Sequence, residues 1–224
     1  MDAVPAGGPA ARLDAATVDL LGVLAYGELT AFERLASDAQ LAPTVSDKIA
    51  LASMANAEFG HFRQLRDHLL ANGVDPESAM APFVDALDGF HDVTRPNDWY
   101  EGLIKAYVGD GLATDFYREV SAYVVDDETR ALVLTVLSDT GQASFAVARV
   151  KQAISSDPSL GGRLALWGRR LVGEALIQAQ QVAVDRDALL QLMVGSGDLA
   201  GITRLLSRLT DAHTERMASL GLSS

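Results

Sequence analysis

The chain has 224 residues, with 30 acidic side chains against 18 basic ones and no cysteine. The lack of cysteine excludes disulfides and thiolate metal ligands, and the net charge of −12 makes nucleic acid an unfavourable partner. No run approaches the roughly 18 apolar residues of a membrane span, and the opening segment MDAVPAGGPAARLD lacks the apolar stretch of a secretory signal. We therefore expect a cytoplasmic protein without a membrane partner.

Helix signals begin after a short N-terminal segment. Residues 1–13 are rich in Gly, Ala and Pro and are expected to form a flexible lead-in. Asp14 can cap a first helix that reaches about residue 40, before a proline. A capping box followed by an apolar pattern predicts a second helix over 44–72, which ends at a glycine.

Four more helices are predicted after a long connection. Residues 73–96 contain three prolines and several turn residues, and we expect them to be irregular. Residues 97–123 and 126–155 are predicted as the third and fourth helices, each beginning at an Asn or Asp cap. An Asp-Pro pair predicts a fifth helix over 157–189, and the last helix is expected over 198–218.

The connection lengths predict the architecture. Short links make the first and second helices antiparallel neighbours, and the third and fourth likewise, whereas the long connection can cross the length of a bundle. This is an all-α, ferritin-like four-helix bundle with one long crossover. We expect a single domain over 14–224, with a core bundle over 14–156 and two additional helices within 157–219.

Each of the first four helices places one acid on its apolar face, if successive residues turn by about 100°. Burying several like charges together is costly unless a cation, shared protons or water compensates. Di-metal carboxylate bundles meet this cost with one acid from each of two helices and an E-x-x-H pair from each of the other two. The candidate residues are Glu28, Glu58 with His61, Asp110, and Asp139 with Gln142.

Other polar and apolar features of the sequence have simpler interpretations. Glu58 and His61 taken alone could be a satisfied polar pair, because an isolated E-x-x-H occurs often by chance. His91 and His213 are interpreted as surface or interface residues. The apolar stripe of the fifth helix is interpreted as packing only, and the basic segment GRLALWGRRL as a solvated or ion-paired face.

Four segments carry a family resemblance over about residues 17–219. In order, YGELTAFERLASDA, NAEFGHF, AYVGDGLATDFYRE and LSDTGQASFAV resemble the actinobacterial ferritin-like proteins grouped with the tRNA hydroxylase MiaE. MiaE is a non-haem di-iron monooxygenase that hydroxylates a hypermodified adenosine of tRNA. The resemblance implies an iron site of one or two ions, with the ligands Glu28, Glu58, His61, Asp110 and Asp139.

The chain departs from this family at one candidate ligand. Relatives read D-T-G-H-A-E-F where this chain reads DTGQASF, so Gln142 stands in the place of a histidine. A neutral amide oxygen is a poorer donor to iron than imidazole, and the acidic charge argues against a tRNA substrate.

Three functions are consistent with these features. The first is a non-haem iron hydroxylase acting on a small molecule, with no catalytic residue assigned beyond the metal ligands. The second is a non-catalytic binding or structural protein that has lost its metal site. Iron storage is the third and is less favoured, because two extra helices offer no evident means of forming a closed shell. Exposed apolar faces on the outer helices predict a homodimer.

Overall fold

The computed structural model describes residues 13–138, 142–186, 188, 189, 191 and 199–223. These residues form helices and no strand, which confirms the predicted all-α class. The α-helices are, in chain order, α1 (Ala15–Asp38), α2 (Val45–Ala71), α3 (Pro76–Met80), α4 (Val84–Val93), α5 (Trp99–Ile104), α6 (Asp110–Ser121), α7 (Asp127–Val136), α8 (Gln142–Ser156), α9 (Leu160–Asp185) and α10 (Leu199–Leu220).

The first two helices begin and end close to their predicted positions. The Asp14 carboxylate accepts a hydrogen bond from the Thr17 amide at 2.7 Å, and the Thr44 hydroxyl accepts one from the Asp47 amide at 3.1 Å. These bonds satisfy amides that the first turn of a helix leaves without partners. After α2 the chain turns at Gly73, whose φ of 72° favours glycine. Because only a short turn separates them, α1 and α2 form a closely packed antiparallel pair.

The crossover between the two helix pairs is largely helical, so the prediction of an irregular segment over 73–96 is wrong. Asp75 caps α3, and Pro76 occupies the first turn, where no intrahelical amide is required. Pro82 lies in a 3-10 turn (Ala81–Phe83) that leads into α4. Phe83 is fully buried, and α3 packs directly against α1. The prolines of this segment predict irregular structure, but Pro76 and Pro82 lie in the first turns of helices, where proline is tolerated.

The predicted third helix contains a wider turn in its middle. Its cap is Asp98 rather than Asn97, since the Asp98 carboxylate accepts the Glu101 amide at 3.0 Å. Between α5 and α6 the chain forms a π-helix over Lys105–Gly109. A π-helix has more residues per turn than an α-helix, so it changes the face on which all later residues lie.

The later helices also differ from their predicted bounds. The predicted helix over 126–155 appears as α7, which ends at Val136, and α8, which begins at Gln142. Residues 139–141 between them lie outside the described part. The fifth helix begins at Leu160, because Asp157 caps the turn before it by accepting the Ser159 amide at 3.0 Å.

The two C-terminal helices pack on the second half of the bundle. α9 contacts α4, α5 and the π-helix, and α10 contacts α6 and α8. Arg163 of α9 bonds the buried Glu101 at 2.5 Å, and the Trp167 indole donates to the Glu101 carbonyl at 2.9 Å. Arg169 and Arg170 donate to main-chain carbonyls. The basic segment of α9 therefore connects α9 to α5, to the end of α4 and to the C-terminal residues.

One helical stretch is apolar enough to be compared with a membrane span. An 18-residue window within Ala15–Leu41 has a mean hydropathy of 1.3, although Asp19 and Glu28 interrupt its apolar residues. Half of that window is buried inside the fold. Because a buried core helix of a soluble protein passes the same test, the stretch is weak evidence for a membrane span.

Candidate metal centre

Two carboxylates and one imidazole meet between α1 and α2. They belong to Glu28 on α1 and to Glu58 and His61 on α2, and their candidate ligand atoms all lie within 4.8 Å of one another. His61 Nδ1 lies 3.4 Å from Glu28 Oε2 and 3.5 Å from Glu58 Oε2. The structure thus brings together three of the residues that the sequence analysis singled out.

The helical repeat explains why these polar side chains face inward. Glu58 lies on the same face of α2 as Leu51 and Phe62, which are buried in the core. Only 5% of Glu58 is exposed. The side chains of Glu28 and His61 are 12% and 13% exposed, so the whole cluster is largely shielded from water.

Burial and mutual charge shift the protonation of the cluster. Burial raises the pKa of Glu28 well above its usual value, and the nearby Glu58 carboxylate raises it further, while His61 opposes this shift. The Glu28 and Glu58 carboxylates, against the opposing effect of burial, raise the pKa of His61 to about 10. Without a metal, the cluster therefore retains protons at neutral pH. Burial and the charge of Glu28 also raise the pKa of Tyr117.

Two atoms of the cluster lack hydrogen bonds. Glu28 Oε2 and His61 Nδ1 are buried, and neither finds a hydrogen-bond partner within the described part of the chain. Their separation of 3.4 Å is long for a hydrogen bond. Buried polar atoms are rarely left in this state, and a cation between them would satisfy both. The residues present therefore fit a metal ion.

Asp110 does not join this group, and it is exposed rather than buried. It is the first residue of α6, directly after the π-helix, and it lines the same cavities as Glu28 and Glu58. A constant turn of about 100° per residue placed it on the apolar face. A π-helix has more residues per turn, so each of its residues turns by less than about 100°. The helix face predicted from a constant turn of about 100° is therefore wrong for positions after Lys105.

The remaining two candidates are not tested by the structure. Asp139 lies outside the described residues. Gln142 begins α8, but its side chain is not among those described. Their roles as ligands stay predictions.

Two cavities meet at the cluster. The larger has a volume of about 300 Å³ and a mostly apolar wall formed by the crossover, α1, α6 and α9. The smaller, about 190 Å³, has more polar walls that include His61, Asp115 and Arg216. Glu28 and Glu58 lie on the walls of both. The cluster therefore contributes to the walls of a mostly apolar cavity and of a more polar one.

Parts of these cavity walls cannot be recognised in the sequence. Ala175 and Val182, on the α9 stripe interpreted as packing only, line the larger cavity. His91, interpreted as a surface or interface residue, is half-buried and lines the larger cavity too. His213, interpreted in the same way, is only 7% exposed and is therefore not a surface residue. No local pattern marks a cavity wall, because an apolar side chain beside a cavity looks the same as one in a packed core.

Arg216 of α10 was also missed. It pairs with Asp115 and donates to the Gly111 carbonyl at 2.8 Å. Gly111 makes room for it, since an added Cβ would lie 2.3 Å from Arg216 Nε. The sequence carried one relevant signal, a glycine pair beside Asp110 that permits a close approach, but not the identity of the side chain that approaches.

The fold and the cluster define a ferritin-like helical protein with a buried carboxylate–histidine group between its first two helices. The chain matches the model of the actinomycete ferritin-like domain family over residues 11–196, and it belongs to that family. A search of curated proteins found no match.

Proposed function

We propose that this protein binds a divalent metal ion, with iron the first candidate, through Glu28, Glu58 and His61. The observation that carries this proposal is the spacing of the ligand atoms. Atoms bonded to one ion at about 2.1 Å lie about 3.0–3.4 Å apart. His61 Nδ1 lies 3.4 Å and 3.5 Å from the two carboxylate oxygens. The ligand atoms of Glu28 and Glu58 lie within 4.8 Å of each other, and the two carboxylates would move together to bind one ion.

The types of ligand favour iron or manganese over softer metals. Two carboxylates and one imidazole provide oxygen and nitrogen donors without sulfur. Asp110, on the wall of both cavities, and Asp139 are further candidate ligands for a second ion. Because Gln142 stands in the place of the second histidine, we propose that the ion at Glu28, Glu58 and His61 is held more tightly.

We further propose an oxygen-activating hydroxylase of the MiaE-like type that acts on a small molecule. Bound iron would supply the activation of oxygen, as it does in other carboxylate bundles. The chain's own residues would position the substrate in the larger cavity and exclude water from it, and the Tyr117 hydroxyl would hold its proton beside Glu28. A tRNA substrate is not proposed because the net charge is −12. Cytoplasmic location and a homodimer stay predictions.

The alternative is a non-catalytic protein whose cluster is stable without metal. The Glu28 and Glu58 carboxylates raise the pKa of His61 to about 10, so a protonated imidazole can balance one carboxylate charge. Burial raises the pKa of Glu28 well above its usual value, so a proton can neutralise the other. This arrangement is expected of a bundle that has kept its fold and lost its metal.

A cobalt titration distinguishes the two functions. Protein purified without added metal is first analysed for iron, then stripped with a chelator and titrated with Co²⁺, whose visible absorption reports its ligands. The proposed function predicts stoichiometric iron or saturable cobalt bands. A protein that contains no iron and shows no cobalt band would support the non-catalytic alternative.

Metal affinity is also expected to rise with pH. A metal can bind His61 Nδ1 only after that atom loses its proton, and the Glu28 and Glu58 carboxylates raise the pKa of His61 to about 10. Below this pKa, affinity should therefore increase about tenfold per pH unit for each proton displaced. Calorimetry in buffers of different ionisation enthalpy counts these protons directly. Affinity that stays constant from about pH 6 to 8 would contradict this proton competition.

A further inference from the structure

The larger cavity has a second polar region away from the metal cluster. Arg34 lies six residues beyond Glu28 on α1, about 9 Å along the helix axis. Asp38 on the same helix, His91 on α4 and Lys105 at the start of the π-helix line the same region. The cavity therefore has the acidic cluster at one place and basic side chains at another.

Lys105 is the unusual member of this group. The chain has three lysines; Lys48 and Lys151 are exposed, whereas only 7% of Lys105 is exposed. Lys105 Nζ is buried and has no hydrogen-bond partner in the described part of the protein. The same is true of Arg34 Nε and His91 Nδ1. A buried polar atom without a partner is costly, and Lys105 Nζ and Arg34 Nε can only donate, so these unpaired atoms around one cavity indicate that a ligand supplies an acceptor.

The side chains of this region carry a net positive charge, which one negatively charged group of a ligand could balance. Burial and the charge of Arg34 lower the pKa of Lys105 to about 8, so Lys105 remains largely protonated at neutral pH. Asp38 is the acid of the cavity wall that opposes this shift, and burial raises the pKa of Asp38 in turn. His91 adds no charge, because burial together with Lys105 and Arg34 lowers its pKa to about 3. Asp92 and Arg95 also act on Lys105, but both are exposed and pair with each other at 3.7 Å.

The protein already compensates Lys105 in part. Its Nζ lies 5.3 Å from the centre of the Phe90 ring, within the range of a cation–π contact. That contact stabilises a charge without using its hydrogens, so all three N–H donors stay available to an oxygen ligand.

We propose that this cavity binds an organic acid, whose carboxylate accepts hydrogen bonds from Lys105 and Arg34 and whose apolar body extends toward the Glu28–Glu58–His61 cluster. The body would contact apolar walls such as Leu24, Phe116 and Val182. A volume of about 300 Å³ is at the small end for ligand cavities, which suits one medium-length acyl chain or a single ring. A phosphate is disfavoured, since a dianion beside Asp38 would exceed the positive charge available.

This inference rests on the proposed function only where it makes the acid a substrate. Binding of the acid requires no metal, so it is measured on metal-stripped protein. Cobalt binding without acid binding would overturn the organic-acid proposal alone. Acid binding without cobalt binding would overturn the metal proposal and leave an organic-acid binding protein.

The test is calorimetric titration with octanoate, with octan-1-ol as a probe that has the same tail and no charge. We expect octanoate to bind at least about 10-fold more tightly, because charged hydrogen bonds form only with the carboxylate. In Lys105→Met, which keeps the length of the side chain, octanoate should bind roughly 10- to 100-fold more weakly. Octan-1-ol binding should be unchanged.

Lys151→Met is the matched control, since it removes an exposed lysine and should bind octanoate like the unmodified protein. Thermal unfolding provides a second readout. Removing a buried charge that lacks a partner should raise the Tm of the ligand-free Lys105→Met variant by roughly 2–4 °C. The proposal fails if octanoate does not bind, binds no better than octan-1-ol, or binds equally well to Lys105→Met.

Discussion

Glu58→Gln is expected to weaken metal binding by at least about 100-fold while the protein stays folded. Glu58 is the most deeply buried member of the cluster, and its carboxylate lies 3.5 Å from His61 Nδ1. The substitution keeps the volume of the side chain but replaces a charged oxygen donor with a neutral amide. A buried amide cannot compensate a divalent charge, so most of the effect should appear in affinity rather than in stability.

The measurement is competition for Co²⁺ against a chelator of known affinity, with circular dichroism to show that the helices are retained. Glu33→Gln is the matched control, since it removes one charge from an exposed position on α1. It should bind cobalt like the unmodified protein. If both variants lose affinity equally, the general negative charge of the chain is responsible. If neither does, the cluster is not the site.

The first helix pair could be predicted from sequence because its signals are local. Asp14 and Thr44 each cap the helix that follows them, and Gly73 ends α2 in the backbone conformation that favours glycine. The inward position of Glu28 and Glu58 also followed from the regular repeat of uninterrupted α-helices. Sequence reasoning succeeds here because every determinant lies within a few residues of its effect.

Two parts of the structure could not be derived in this way. The π-helix over Lys105–Gly109 has no recognisable local signal, yet it shifts Asp110, the residue that follows it, off the apolar face, and its first residue, Lys105, lies on the cavity wall. The crossover was obscured by Pro76 and Pro82, which break a helix in its interior and are tolerated at its start. In both cases packing against distant helices selects the backbone conformation.

The position of Lys105 connects these features. A lysine in the middle of a helix is ordinarily interpreted as a solvated residue, and nothing in its neighbours predicts burial. Only the arrangement of α1, α4 and the π-helix encloses it, beside Arg34 and His91. The polar region that we assign to an organic acid is therefore a product of the tertiary fold, whereas the metal cluster is largely a product of two helices.

Gly22→Ala is expected to destabilise the protein by about 2–4 kcal/mol. A Cβ at this position would lie 2.1 Å from the carbonyl oxygen of Ala79 and 2.7 Å from its carbon. Both are backbone atoms of α3, which packs against α1 at this point. Unlike a flexible side chain, a helix backbone cannot move aside alone, so the crossover must shift away from α1. For a chain of this length the Tm should fall by roughly 5–15 °C.

Gly60→Ala provides the control that separates steric collision from the general effect of replacing a helical glycine. An added Cβ at Gly60, in α2, meets no heavy atom within 4 Å. It should stabilise the protein by about 0.5–1 kcal/mol, because alanine loses less backbone entropy in a helix than glycine. Opposite shifts in Tm for the two variants would support close docking of α3 on α1. A Gly22→Ala protein as stable as Gly60→Ala would show that the crossover, with His91 and the cavity wall it carries, is not anchored at this contact.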